Sequence, residues 1–220
     1  MKPIRDCSLY AFVDTAYLGD RSPAEVARQL CDGGSDLIQL RAKDSAAEEI
    51  LRLAEAVLAV TNKAGVGLVI NDHPKLAHQV GAFACHLGQE DFFEAGYSTS
   101  AQVTGCPPKF KLGLSTHEPE QARRALNAQP DYVAIGPVYA TGTKPAARPV
   151  TLDYVRWAAA NVTIPWFAIG GINLENLNDV LTAGATRICV VSAILNARDV
   201  TRACQAFKER LLSPARNSQS

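Results

Sequence analysis

Short runs of apolar and β-branched residues alternate along the chain with longer amphipathic segments, and the alternation repeats eight times. The apolar runs are SLYAFVDT from Ser8, DLIQLRA from Asp36, GLVIND from Gly67, FACHLG from Phe83, FKLGLST from Phe110, YVAIGPV from Tyr132, PWFAIGG from Pro165 and RICVVSA from Arg187. Nearly continuous apolarity suits strands covered on both faces, as in a parallel sheet whose crossovers are helices. Eight such units predict an α/β fold of one kind, a closed (β/α)8 TIM barrel. Residues 1–212 are expected to form that single catalytic domain, and the polar segment 213–220 a frayed tail.

Helix boundaries are marked by capping chemistry. Ser22 before Pro23, with Glu25 three residues on, offers an N-cap, a proline at the first helical position and a capping-box partner; Ser45 with Glu48 repeats the box. Thr151 and Asn173 are further N-cap candidates, while Gly33, Gly34, Gly65, Gly81 and Gly184 fall where helices should stop. The fourth unit departs from this rhythm. Gly96, Gly105, Pro107 and Pro108 interrupt the segment between Asp91 and Phe110, so an irregular loop with at most a short helix is expected there.

With 220 residues and 47% apolar content the chain can bury one substantial core, and a second domain is not expected. Lys plus Arg equal Asp plus Glu at 22 each, so no global field draws nucleic acid or an anionic membrane surface, and an anionic ligand must be captured by local groups. No apolar stretch reaches the roughly 20 residues needed to span a bilayer. The opening MKPIRDCSLY lacks the apolar region of a signal peptide, so a cytoplasmic location is expected. The six cysteines form no CxxC pair, and several sit inside apolar runs, as expected of reduced, packed thiols; no Cys and His spacing suggests zinc.

A barrel of this kind places its active site at the carboxyl ends of the strands, and polar residues gather there. The second run ends in Gln39, Arg41 and Lys43, the third in Asn71 and Asp72, and the fifth in Ser115 and Thr116. Gln89, Glu90 and Asp91 are expected in a loop after the fourth run, and Thr141, Thr143 and Lys144 in one after the sixth. The seventh run leads into Gly170 and Gly171, and the eighth ends near Ser192. Asp72 or Asp91 alone could cap a helix, but two acids on adjacent units beside several bases fit Mg²⁺, which takes one or two carboxylates and fills its octahedron with water and phosphate oxygens.

Arg41, Lys43 and Lys144 could each be solvated loop charges; together they have the composition of a polyphosphate clamp, Arg as a fork and Lys as a point charge. Gln39 and Asn71 are neutral donor-acceptors, suited to reading a heterocycle or positioning a phosphate. Gly170 and Gly171 before Asn173 form either a tight turn or a second anion site, which Val191 and Ser192 would complete. Among the histidines, His86 reads as packed within a strand, His73 and His78 as flanking an exposed helix, and His117 as either a helix-entry residue or an acid-base group.

LIQLRAKD, LVINDHPKLA, CHLGQED, LGLSTHEPEQA, DYVAIGPVYATGTK, FAIGGINLEN and CVVSAI, in this order, resemble the thiamine phosphate synthase family over residues 9–197. The resemblance implies a transferase of thiamine biosynthesis. It would join 4-amino-2-methyl-5-hydroxymethylpyrimidine pyrophosphate to 4-methyl-5-(2-hydroxyethyl)thiazole phosphate, or to the carboxylated thiazole, and release pyrophosphate. It further implies that Gln39, Leu40, Arg41, Ala42, Lys43, Asn71, Ser115 and Lys144 hold the pyrimidine substrate, with Arg41, Lys43, Ser115 and Lys144 acting in catalysis. Asp72 and Asp91 would bind Mg²⁺, and Thr141, Gly142, Thr143, Gly171, Val191 and Ser192 the thiazole phosphate. In the family, pyrophosphate leaves first and the thiazole nitrogen captures a pyrimidine carbocation. The site is correspondingly rich in charge stabilisers and poor in an evident general base. Two features depart from the family pattern, the long Gly- and Pro-broken segment after Asp91 and the alanines Ala146 and Ala147 after Pro145.

Two rival functions remain in view. A thiazole tautomerase of the same barrel would use His117 and would have no use for Asp72, Asp91, Arg41 and Lys144; a non-catalytic barrel would only bind a thiazole or thiamine phosphate. The partners implied are small-molecule substrates rather than nucleic acid or membrane, and a homo-oligomer is compatible with the sequence.

Overall fold

The structure, a computed structural model, describes residues 1–106, 108–140 and 149–213. Its first half runs β1 (Leu9–Asp14), α1 (Pro23–Asp32), β2 (Leu37–Arg41), α2 (Ala47–Ala64), β3 (Gly67–Asn71), α3 (Pro74–Val80), β4 (Ala84–Gly88), α4 (Gln89–Glu94) and α5 (Ala101–Thr104). The second half runs β5 (Lys111–Thr116), α6 (Pro119–Asn127), β6 (Tyr132–Ile135), α7 (Thr151–Asn161), β7 (Trp166–Ile169), α8 (Leu177–Thr182), β8 (Ile188–Cys189), α9 (Ser192–Leu195) and α10 (Val200–Leu212). The strands pair in parallel in chain order, and β8 pairs with β1 to close the barrel. The (β/α)8 architecture expected from the apolar pattern is the one found.

Each strand sends alternate residues inward and outward. On β2, Ile38 and Leu40 are fully buried in the layer between sheet and helices, while Gln39 and Arg41 line the pocket at the barrel mouth. The helices answer with apolar stripes at three- and four-residue spacing, such as Ile50, Leu53, Ala54 and Val57 of α2. Inside the barrel, Tyr10, Tyr132 and Phe167 meet edge to face with centroids 5.4 to 6.1 Å apart. Gly113 makes room for them, since a Cβ there would lie 2.1 Å from the Tyr132 ring. The barrel is therefore a packed core, not a pore.

Local expectations fare unevenly. Gly65 and Gly81 are left-handed C-caps of α2 and α3, and Asn173 Oδ1 accepts from the N–H groups of Glu175 and Asn176 just before α8. Ser22 occupies the N-cap position of α1 but makes no side-chain capping bond, and α2 starts one residue later than the Ser45 box requires, with Ala46 at its N-cap. Thr151 has φ +62 and accepts weakly from the Asp153 N–H at 3.4 Å, so it closes the entry to α7 rather than capping from outside it. The fourth unit holds two short helices, α4 and α5, where at most one was expected; Gln89, Glu90 and Asp91 form the first turn of α4 and not a loop. His73 is the N-cap of α3, whereas His78 lies within that helix. All six cysteines are free, and burial pushes the thiols of Cys7 and Cys31 up to about 11. No helix among the described residues is long and apolar enough to cross a membrane. The tail beyond Ser213 lies outside the described residues.

Candidate active site

Ten of the residues that the resemblance assigns to substrate or metal line one pocket at the carboxyl ends of the strands, Gln39, Arg41, Lys43, Asn71, Asp72, Asp91, Ser115, Gly171, Val191 and Ser192, and His86, His117 and Gly170 line it with them. Leu40 and Ala42 do not line it; side-chain alternation turns them away, and both are buried. Thr141, Gly142, Thr143 and Lys144 lie outside the described residues, as do Ala146 and Ala147.

The acidic side of the pocket is built from two strand exits. Asp72 follows β3 with φ +60, a left-handed conformation that short polar side chains tolerate best, and its backbone N–H donates to the His86 carbonyl at 2.9 Å. Asn71 Nδ2 donates to Asp72 Oδ2 at 2.6 Å. Asp91 sits in the first turn of α4, where an acid is favoured by the helix dipole. Gly88 has no side chain to obstruct it: a Cβ there would stand 2.8 Å from Asp91 Oδ2. Among the described residues no group of three or more His, Cys, Asp or Glu could hold a metal ion. Two carboxylates without a closed protein cage suit a hard cation that keeps water and ligand oxygens in its shell, as Mg²⁺ does.

Of the described cations on the basic side, Arg41 lies deeper than Lys43. Its Nη1 donates to Asp14 Oδ2 at 2.8 Å, a pair whose side chains are 11% and 1% exposed. Lys43, two residues on, is exposed at the rim. Beneath them runs a buried polar chain: Gln39 Nε2 donates to Tyr10 Oη (2.6 Å), Tyr10 Oη meets Tyr132 Oη (3.1 Å), and Tyr132 Oη meets His86 Nδ1 (3.1 Å). Burial pushes the phenol pKa values of Tyr10 and Tyr132 well up, so both stay protonated hydrogen-bonding groups. His86 is thus a packed residue that also borders the pocket.

Across the mouth, Gly170 and Gly171 have φ +102 and +64. Their tight turn also admits a neighbouring backbone, because a Cβ at Gly170 would lie 2.4 Å from Pro137 and one at Gly171 2.6 Å from the Ala140 carbonyl oxygen. Tight-turn and ligand-facing roles therefore coincide here. β8 ends at Cys189, and Ser192 opens the four-residue α9. His117 fits the helix-entry role: its backbone N–H donates to Gln121 Oε1 at the entry to α6, its ring Nδ1 hydrogen-bonds the Gly136 carbonyl, and the residue also borders the pocket.

Sequence reasoning passed over Asp14, Tyr10, Tyr132, Phe12 and Ile169. Asp14, next to last in the run SLYAFVDT, could have been noticed as the one acid at the exit of the first strand; Ile169 and the aromatics carried no signal beyond that of a core.

The family profile described as thiamine monophosphate synthase matches residues 9–194. The chain belongs to the thiamine monophosphate synthase family. Within it, the chain is 48% identical over 186 residues to a thiamine-phosphate synthase of Thermus thermophilus, covering 83% of this chain and 86% of that one. It is 40% identical over 205 residues to the thiamine-phosphate synthase of Halalkalibacterium halodurans, covering 93% and 95%. Its fold superposes on a solved thiamine phosphate pyrophosphorylase from Pyrococcus furiosus with a TM-score of 0.84 at 27% identity, covering 96% of this chain and all of that one.

Proposed function

We propose that this chain is a thiamine phosphate synthase, working in the cytoplasm on hydroxymethylpyrimidine pyrophosphate and thiazole phosphate. The observation that carries the reading is the meeting, in one pocket, of Asp72 and Asp91 with Arg41 and Lys43 on one side and Gly171 and Ser192 on the other. Such a site can hold two phosphorylated substrates side by side, and holding them converts a bimolecular encounter into an oriented one.

Bound between Asp72 and Asp91, Mg²⁺ would supply positive charge beside the pyrophosphate oxygens. The C–O bond between the pyrimidine methylene and pyrophosphate breaks with its electron pair going to pyrophosphate; the thiazole nitrogen lone pair then forms the C–N bond to the cationic carbon. Arg41, Lys43 and Lys144 meet the negative charge that grows on the leaving group, which is where fixed donors act most strongly. Ser115 contributes a hydroxyl to the same step. Gln39 and Asn71 orient the pyrimidine substrate, and Thr141, Gly142, Thr143, Gly171, Val191 and Ser192 hold the thiazole phosphate. The closed floor limits water access to a cation that water would quench.

The test is product analysis with both substrates and Mg²⁺, in which one pyrophosphate should appear for each thiamine phosphate. Removing the divalent cation should stop both. Lys144→Ala should lower kcat as well as kcat/KM, by about 10²-fold. Thiazole isomerisation that requires His117 but neither Mg²⁺ nor the pyrimidine substrate would instead make the chain a tautomerase, and ligand binding without turnover would make it a binder.

A further inference from the structure

We propose that Asp14 is a positioning residue that aims the Arg41 guanidinium at the pyrophosphate side of the pocket. The inference rests on the reading of Arg41 as a phosphate contact. Asp14 and Arg41 are direct Cα partners on neighbouring strands, the last residues of β1 and β2. Register therefore brings the two side chains together. Asp14 divides its carboxylate: Oδ1 accepts from the Ala16 N–H at 3.0 Å and anchors the turn leaving β1, while Oδ2 accepts from Arg41 Nη1 at 2.8 Å.

Among the described residues the Arg41 side chain makes no other hydrogen bond, although it lines the pocket. Nε and Nη2 are thus left as donors for a ligand. A buried ion pair is a weak device for stability alone, because desolvation of both charges offsets their attraction. It is an effective device for holding a long side chain in one orientation, which removes ordering cost from the binding step. Lys43 offers the contrast: it is exposed, it has no ion-pair partner among the described residues, and it can act only as a mobile point charge.

The experiment compares wild type with Asp14→Asn, Asp14→Ser, Arg41→Gln and the double variant Asp14→Asn/Arg41→Gln. Asparagine can still accept from the Ala16 N–H but turns an amide donor toward the guanidinium; serine keeps an acceptor for Ala16 in case the asparagine variant fails to fold. Calorimetry with Mg²⁺ and inorganic pyrophosphate reads binding, and steady-state kinetics reads kcat and both KM values. Asp14→Asn should weaken pyrophosphate binding and raise the KM of the pyrimidine substrate by about tenfold each, with the thiazole phosphate KM within about twofold. In the Arg41→Gln background, Asp14→Asn should add less than about a further twofold, because its effect runs through Arg41.

Unchanged pyrophosphate binding in the folded Asp14 variants, equal damage to both KM values, or full additivity with Arg41→Gln would overturn the proposal, as would a wild-type protein that binds no pyrophosphate. The functional reading fails separately, if wild type binds pyrophosphate and loses it with Asp14→Asn but forms no thiamine phosphate.

Discussion

At the amino-terminal end of the barrel, Asp36 accepts from Lys2 Nζ (2.6 Å), from Lys208 Nζ, and from the N–H groups of Ser8 (2.8 Å) and Leu9 (3.1 Å). At the carboxyl-terminal end, among the described residues, the Asp72 carboxylate accepts only from Asn71 and the Asp91 carboxylate accepts no hydrogen bond. The floor saturates its acid with internal donors and so ties β1, β2, the N-terminal segment and α10 together. The mouth satisfies Asp14 but leaves the carboxylates of Asp72 and Asp91 short of partners, where a ligand can complete them. For Asp36, internal partners serve stability; for Asp72 and Asp91, missing ones serve binding.

The sharpest way to break this contrast is at the mouth. Asp72→Asn, which keeps a side chain tolerated at φ +60, and Asp91→Ala should each lower kcat/KM by about 10³-fold or more while leaving the thermal midpoint nearly unchanged, a split that melting curves and kinetics read together. A variant that melts early yet turns over normally would assign that acid to the fold.

Next in size is the floor. Burial alone would raise the Asp36 carboxyl, but its hydrogen bonds to Lys2, Lys208 and the Ser8 and Leu9 N–H groups outweigh that and hold its pKa at about 2, below the ordinary 3.8. The folded pKa is the lower one, so this stabilisation, roughly 2 kcal/mol, is complete above about pH 4 and is lost as pH falls toward about 2. Asp36→Asn should lower the thermal midpoint at pH 7 by about 4 to 8 °C, leave the catalytic constants unchanged, and flatten the acid limb of the stability curve. An undiminished acid limb would place the acid sensitivity elsewhere.

The smallest effect should come from Lys2→Ala. Its side chain is 56% exposed against 15% for Lys208, although both contact the same carboxylate. Solvent screening should confine the loss to about 1 to 3 °C, with Lys208→Ala costing more. Equal losses would mean that exposure does not govern the two bonds.

The strands were legible because a parallel strand buried on both faces must be a short apolar run, and their candidate starts fall within one residue of those observed. The polar residues at their ends were legible for the same reason: water-seeking side chains at a strand exit stand out against Val, Ile and Leu. Three things were hidden. Leu40 and Ala42 belong to a motif read as a continuous stretch, whereas a strand exposes only every second residue to one face. The Asp14–Arg41 and Asp36–Lys208 pairs depend on register and closure, which bring distant positions together and leave no local mark. The two helices of the fourth unit are too short to show a period, α5 being four residues long.

Tyr10, Tyr132 and Phe167 fill the barrel below Gln39 and His86, so the pocket is closed from beneath. Nothing can be handed through the barrel from its other end. Whatever the pocket receives or gives up has to cross the carboxyl-terminal face, the same face that carries the carboxylates of Asp72 and Asp91.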